Sequence, residues 1–127
     1  MSMDMENKKL EIKNDQRGNF VEVFKVQGFG QVSFSTTRPG VLRGNHYHIR
    51  KKEFFCVIEG EAKIRQRNRE TNKIEEKIVY GATPELVEMK INWVHNIQNI
   101  GDNEMKLLIW INEVFNPDDP DTFAEEI

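Results

Sequence analysis

"GVLRGNHYHIRKKEFFCVIEG", residues 40–60, holds two of the chain's three histidines, one residue apart, with a glutamate five positions after the second. In a strand, side chains two apart lie on one face. His46 and His48 therefore point the same way, and Tyr47 packs on the other side. In the next run Glu53, Phe55 and Val57 share a face. If the two strands pair, with "IRKK" as the turn, Glu53 meets both imidazoles. Cys56 then sits on the opposite face of a buried strand, where a small core hydrophobe is the expected reading. The third histidine, His95 in "NWVHNIQNIGD", opens a later candidate strand and reaches the same cavity in a sandwich. A lone histidine is more often a core or surface residue. Here the whole histidine inventory falls into one pattern, and two or three imidazoles with a carboxylate suit zinc, iron, manganese, nickel or copper.

Working outward, the pattern is one of short runs rich in Val, Ile and Phe separated by turn residues. Candidate strands cover 19–26, 31–37, 44–48, 53–58, 61–67, 73–79, 86–90, 95–99 and 106–113. Breaks fall at "QGFG", "RPG", "EGE", "NRETN", "YGATP", "NIGDN" and "NPDDPD". Many short strands at near-regular spacing argue for an all-β sandwich or barrel. Only the first dozen residues and the tail after Asn116 leave room for short helix. A length of 127 residues fits a single domain over 1–127, with residues 1–10 a flexible N-terminal segment. Net charge is −3 with acidic and basic residues interspersed, so no basic stripe points to nucleic acid. No apolar run is long enough to span a bilayer and no signal segment opens the chain. The single cysteine forbids an intrachain disulfide. A cytoplasmic protein is expected.

The opening stretch resembles the first cupin motif: Gly40, His46, His48, Glu53 and Gly60 fall at its glycine, His-x-His, glutamate and glycine positions. His95 and Asn99 resemble the end of the second motif, with Lys90, Ile91 and Asn92 where Pro-x-Gly usually stands. The resemblance implies a small cupin jelly roll with His46, His48, Glu53 and His95 holding a metal in the barrel mouth.

Two further stretches narrow the resemblance. "NDQRGNFVEVF" (14–24) and "SFSTTRPGVLRGNHYH" (33–48) resemble the 3,5-epimerases that act on dTDP-4-keto-6-deoxyglucose. Those enzymes bind no metal and use the histidine of the second stretch as base. Here His48 stands where they carry glutamine. Arg17, Glu22, Gln31 and Arg43 match their nucleotide- or sugar-contacting positions, and an arginine fork suits a diphosphate. The plain alternative for these four is surface ion pairing.

"STTRPGVLRGNHYH", "HNIQNIGDNEM", "NEVFNPDDPDTF" and the final "EEI" resemble the C-terminal cupin domain of the CapF family of capsular polysaccharide enzymes. The resemblance implies a divalent metal, zinc first, and epimerisation at C3 of a UDP-4-keto-6-deoxy-N-acetylhexosamine through an enolate. It further implies a UDP-sugar substrate; since no Gly-rich nucleotide-binding fingerprint is present, the chain is either a stand-alone epimerase with a separate NADPH-dependent reductase partner or a cupin domain cut from a longer chain, and the resemblance to cupins in general implies a homodimer. Lys51, beside the ligands, is either the acid–base group or a solvated turn lysine. Trp93 either walls the pocket or belongs to the core. Three other readings stand beside the epimerase: a metal-free 3,5-epimerase with His46 as base, an iron dioxygenase, and a non-catalytic sugar-nucleotide-binding cupin.

Overall fold

The structure is a computed structural model and describes residues 7–127. The expectation of a flexible segment over 1–10 therefore lies mostly outside the described residues; residues 7–12 run without regular structure and are exposed. Eleven strands follow: β1 (Lys13–Asp15), β2 (Gly18–Val26), β3 (Gly30–Thr37), β4 (Leu42–Tyr47), β5 (Glu53–Glu59), β6 (Glu61–Asn68), β7 (Ile74–Tyr80), β8 (Leu86–Met89), β9 (Trp93–Asn99), β10 (Met105–Ile111) and β11 (Phe123–Ala124). All nine candidate strands are present. The described residues contain no helix: residues 7–12 are irregular, and the tail after Asn116 is irregular apart from the two-residue β11.

The strands form two antiparallel sheets, ordered β1-β2-β3-β10-β5-β8 and β11-β4-β9-β6-β7. This corrects the expected pairing of the two histidine- and glutamate-bearing strands. β4 pairs with β9 and β11, whereas β5 pairs with β10 and β8 in the other sheet. Glu53 thus faces the imidazoles across the sandwich. The "IRKK" segment is a crossover between sheets, not a hairpin turn.

One half of the sandwich is apolar. Phe55, Val57, Ala62, Ile64, Val79, Met89, Ile97, Met105 and Leu107 form a single buried cluster drawn from both sheets. Fully burying side chains of this size stabilises by about 1.5–3 kcal/mol each before chain entropy is counted. β3 inverts the usual alternation: Gln31, Ser33, Ser35 and Thr37 are buried, while Val32 and Phe34 lie on the outer face. The barrel is therefore dry at one end and lined by polar groups along the wall that continues toward the histidines.

Asn99 shows how the ends are tied. It is fully buried; its amide donates to the carbonyls of Thr37 and Asn103, both at 2.8 Å, and its carbonyl accepts from the Gly101 N–H at 2.9 Å. The motif asparagine is thus a structural pin between β9, β3 and the turn that leads into β10. Cys56 is a second correction: it lies partly exposed on the outer face of β5, not in the core.

Replacing Asn99 with alanine strands the buried Thr37 carbonyl and removes the partners of the Asn103 carbonyl and the Gly101 N–H. We expect a stability loss of about 2–4 kcal/mol in urea unfolding; a change under half a kilocalorie would contradict the pin.

Candidate metal centre

His46 sits near the end of β4, His48 just beyond it, His95 on β9 and Glu53 at the start of β5. The local backbone explains the convergence. Asn45 takes a left-handed conformation at φ 60°, and the β4–β9 register shifts between Gly44 and His46. This bulge re-aims the histidine-bearing end of the strand. Gly44 lets β4 approach β9 closely: a Cβ there would stand 2.8 Å from the His95 carbonyl oxygen. Asn92 also adopts positive φ, at 62°, so an asparagine supplies the left-handed residue that glycine usually provides before the last histidine. Its N–H donates to the His48 carbonyl at 2.7 Å, and its side-chain carbonyl accepts from Arg69 at 2.9 Å.

One donor atom from each of His46, His48, Glu53 and His95 lies within 4.8 Å of the others. Glu53 Oε1 is 3.1 Å from His48 Nε2 and 3.2 Å from His95 Nε2. Ligand atoms sharing one ion at about 2.1 Å stand roughly 3.0–3.4 Å apart, so these spacings match a common centre. Protonation makes the same point. His48 Nδ1 lies 2.7 Å from the Asp121 main-chain oxygen, which can only accept, so Nδ1 carries the proton. In the neutral ring, Nε2 then presents a lone pair to a carboxylate oxygen. Both ring nitrogens of buried His95 lack a hydrogen bond, the 3.2 Å approach to Glu53 being poorly aligned. Lone pairs facing one another in a buried site are reconciled by a cation between them.

The electrostatics agree. Burial lowers the pKa of His46 to about 4, helped by His95 and partly opposed by Glu53, so the imidazole is neutral at pH 7 and free to ligate. Burial pushes the Glu53 carboxyl up, while hydrogen bonds and positive charge from the His48 and His95 imidazoles would hold it below the usual carboxylate range; where those nitrogens present lone pairs, a cation at the same place takes over that role. The donor set is three imidazoles and a carboxylate, with one negative charge and no thiolate.

Two cavities meet at this cluster and share Phe20, His46, Glu53 and Ile109. One, of about 230 Å³, is also lined by Arg17, Ser35 and Arg43. The other, of about 240 Å³, is also lined by Glu22, Gln31, Lys51, Phe115 and Thr122. An open cleft of about 530 Å³ between β7 and β8 contains none of the histidines.

The remaining expected residues separate clearly. Arg43 reaches along its cavity: Nε donates to the Thr37 hydroxyl at 2.9 Å and Nη2 to the Thr36 carbonyl at 2.9 Å, and it has no carboxylate partner among the described residues. Arg17 is half-exposed and paired with Asp15 at 2.7 Å. Glu22 accepts from Gln31 at 3.0 Å and pairs with Lys13 at 3.1 Å. Lys51 is not a solvated turn lysine. It is 4% exposed, and its ammonium donates to the Thr122 hydroxyl at 3.2 Å; burial pulls its pKa below the ordinary value. Trp93 lies under Lys90, 4.4 Å from ring centroid to ammonium, and lines neither cavity at the cluster. Tyr47 does pack on the opposite face, stacked on Phe123 with Arg69 over its ring.

The fold and the buried His/Glu cluster define a cupin. The chain belongs to the polysaccharide biosynthesis C-terminal domain family, which matches residues 13–123. It is 45% identical over 111 residues to the UDP-2-acetamido-2,6-beta-L-arabino-hexul-4-ose reductase of Pseudomonas aeruginosa, covering 87% of this chain and 30% of the relative. It superposes on the capsular polysaccharide assembling protein CapF of Staphylococcus aureus with a TM-score of 0.92 at 39% identity, covering 95% of this chain and 35% of that one. It is 25% identical over 130 residues to a probable low-salt glycan biosynthesis epimerase of Haloferax volcanii, covering 93% of this chain and 83% of the relative. The chain thus spans about a third of the length of the first two. The family and these relatives are named for polysaccharide and glycan biosynthesis.

Replacing Glu53 with alanine removes the one charged donor of the cluster. Zinc retained after loading and desalting, read by mass spectrometry of the metal, is expected to fall from near-equimolar to near zero. Full retention by the variant would rule out the cluster as the metal site.

Proposed function

We propose that this chain is a metal-dependent epimerase acting at C3 of a UDP-4-keto-6-deoxy-N-acetylhexosamine, in capsular or other surface polysaccharide synthesis. The observation that carries the reading is the His46–His48–Glu53–His95 cluster opening onto two cavities, one flanked by an arginine without a carboxylate partner and the other by a buried lysine. The four residues hold a divalent ion, with zinc the first candidate for a nitrogen-rich, thiolate-free donor set. When bound, that ion supplies Lewis acidity toward the 4-keto oxygen.

The chain's own residues do the rest. Arg43, with Arg17 at the outer rim, binds the diphosphate; a planar guanidinium fork can hydrogen-bond two phosphate oxygens at once. Glu22 and Gln31 hold sugar or nucleotide polar groups at the other cavity. Phe20 and Ile109 form the apolar wall shared by the two cavities, which limits water around the reacting carbon. Trp93, placed away from both cavities, has no substrate role in this reading. Lys51 faces its cavity beside His46 and His48 and is the side chain best placed to move the C3 proton. Removing that proton leaves an enolate; returning a proton to the other face inverts the centre.

The product keeps its 4-keto group, so a separate NADPH-dependent reductase is the natural next enzyme, whether on another chain or in a longer form of this one. A homodimer fits the outer face of the six-stranded sheet. There Val32, Phe34, Leu108, Trp110, Phe54, Cys56 and Leu86 lie on neighbouring strands in register, giving an apolar patch too continuous to leave in water. Leu108→Lys at its centre is expected to shift the mass measured by light scattering from dimer to monomer.

The test of the reaction is proton NMR of the 4-keto sugar nucleotide in heavy water. Metal-loaded protein should erase the C3 proton signal, chelation should stop the exchange, and Lys51→Met should slow it at least ~100-fold while substrate still binds. Metal-independent exchange at both C3 and C5 would instead mark a 3,5-epimerase. Binding without exchange would mark a non-catalytic module.

A further inference from the structure

The C-terminal tail returns to the metal-binding edge of the barrel from some 70 residues away, and the contact is concentrated on one residue. Asp121 is 5% exposed. Its carboxylate accepts three consecutive main-chain N–H groups: Ile49 at 3.1 Å, Arg50 at 2.8 Å and Lys51 at 2.7 Å. Its own main-chain oxygen accepts from His48 Nδ1 at 2.7 Å. Its backbone lies in the left-handed region at φ 50°, which turns carbonyl and carboxylate toward the same loop. Beyond it the tail is fixed. Phe123 and Ala124 pair with Tyr47 and His46, and the Glu125 N–H donates to the Asn45 carbonyl at 3.0 Å. Glu125 also meets Arg67 at 2.7 Å and Arg69 at 3.3 Å.

We propose that Asp121 is the positioning residue of the metal centre: its carboxylate sets the loop between the ligands His48 and Glu53, and its carbonyl fixes His48 as the Nε2-ligating tautomer. This rests on the reading of the cluster as a metal site. Residues 49–52 have no strand partner, so without the carboxylate three adjacent N–H groups lose their acceptors and the spacing of the two flanking ligands is no longer set. Charge-assisted bonds to a run of N–H groups hold such a loop more tightly than neutral acceptors do. The carbonyl bond is of the kind that orients ligating histidines generally, and losing such a contact typically costs about 10–100-fold in metal affinity. Lys51 is placed by the same clamp, since its N–H bonds to the Asp121 carboxylate and its ammonium to the adjacent Thr122. The tail thereby couples the metal site to the proposed proton-transfer group.

Cobalt(II) titration of the wild type and of Asp121→Asn separates the possibilities. Asparagine tolerates the left-handed backbone and keeps the main-chain carbonyl, but turns N–H groups toward the loop's own donors. We expect the wild type to bind one equivalent, and the variant to bind about 10–100-fold more weakly with a shifted visible absorption band. Met105→Ala, in the apolar half, is the control: it should lower the melting temperature without altering affinity or spectrum. A wild type that binds no cobalt would overturn the metal reading and this proposal with it. Unchanged affinity and spectrum in Asp121→Asn, beside a binding wild type, would overturn only the role of Asp121. One measurement needs no variant. Long-range nitrogen–proton NMR of zinc-loaded protein should show His48 protonated at Nδ1, and an Nδ1 without its proton would refute the proposal even if the variant failed to fold.

Discussion

A carboxylate buried where the two sheets meet is the constraint around which the site is built. Glu53 comes from the six-stranded sheet, His46 and His95 from the five-stranded one, and His48 from just beyond its strand β4. Taking a carboxylate out of water costs several kilocalories per mole unless it is compensated. The nitrogens 3.1 and 3.2 Å away across the sandwich do not supply that compensation by themselves, because His48 Nε2 presents a lone pair and His95 makes no hydrogen bond. With His46 neutral and the His48 Nδ1 proton committed to Asp121, the arrangement lacks positive charge at its centre. A divalent ion held by these four side chains would supply it and would tie the two sheets at the barrel mouth.

The rest of the molecule follows from keeping that mouth open and ordered. The apolar cluster closes the opposite half of the sandwich, so the polar half need not contribute much to folding. The inner face of β3 carries hydroxyls and an amide in place of the usual apolar residues, which makes a wall suited to a hydroxyl-rich ligand. The inversion has a counterpart outside, where Val32 and Phe34 join Leu108 and Trp110 on a face that calls for a partner surface. Gly44, Asn45 and Asn92 take the unusual backbone angles that bring the histidine-bearing segments close, and such residues adopt them at little cost.

Much of this was legible in the sequence because short-range periodicity carries it. The run of alternating segments gave all nine main strands, and the His-x-His spacing with Glu53 and His95 named the four residues that converge. What failed was long-range. Residue spacing says which side chains share a face but not which sheet a strand joins, so β4 and β5 were expected to pair and instead face each other. Asp121 was invisible because nothing local marks a tail carboxylate as the acceptor for a loop some 70 residues earlier. For Lys51 the sequence leaves a solvated turn lysine open, because "RKK" looks solvated, whereas Thr122 and Phe115 of the tail enclose it. Cys56 was assigned to the core by residue type, but the inner positions of β5 belong to Glu53, Phe55 and Val57. The missing Pro-x-Gly proved harmless in shape, since Asn92 adopts the required left-handed angle.

The central claim is that one metal ion sits among four side chains drawn from both sheets. Anomalous X-ray scattering from crystals grown with zinc, collected on either side of the zinc edge, tests it most directly. The account predicts one strong peak about 2.0–2.2 Å from nitrogens of His46, His48 and His95 and from a Glu53 oxygen. A peak elsewhere with this cluster empty, or an ion held by the histidines with Glu53 turned away, would contradict it.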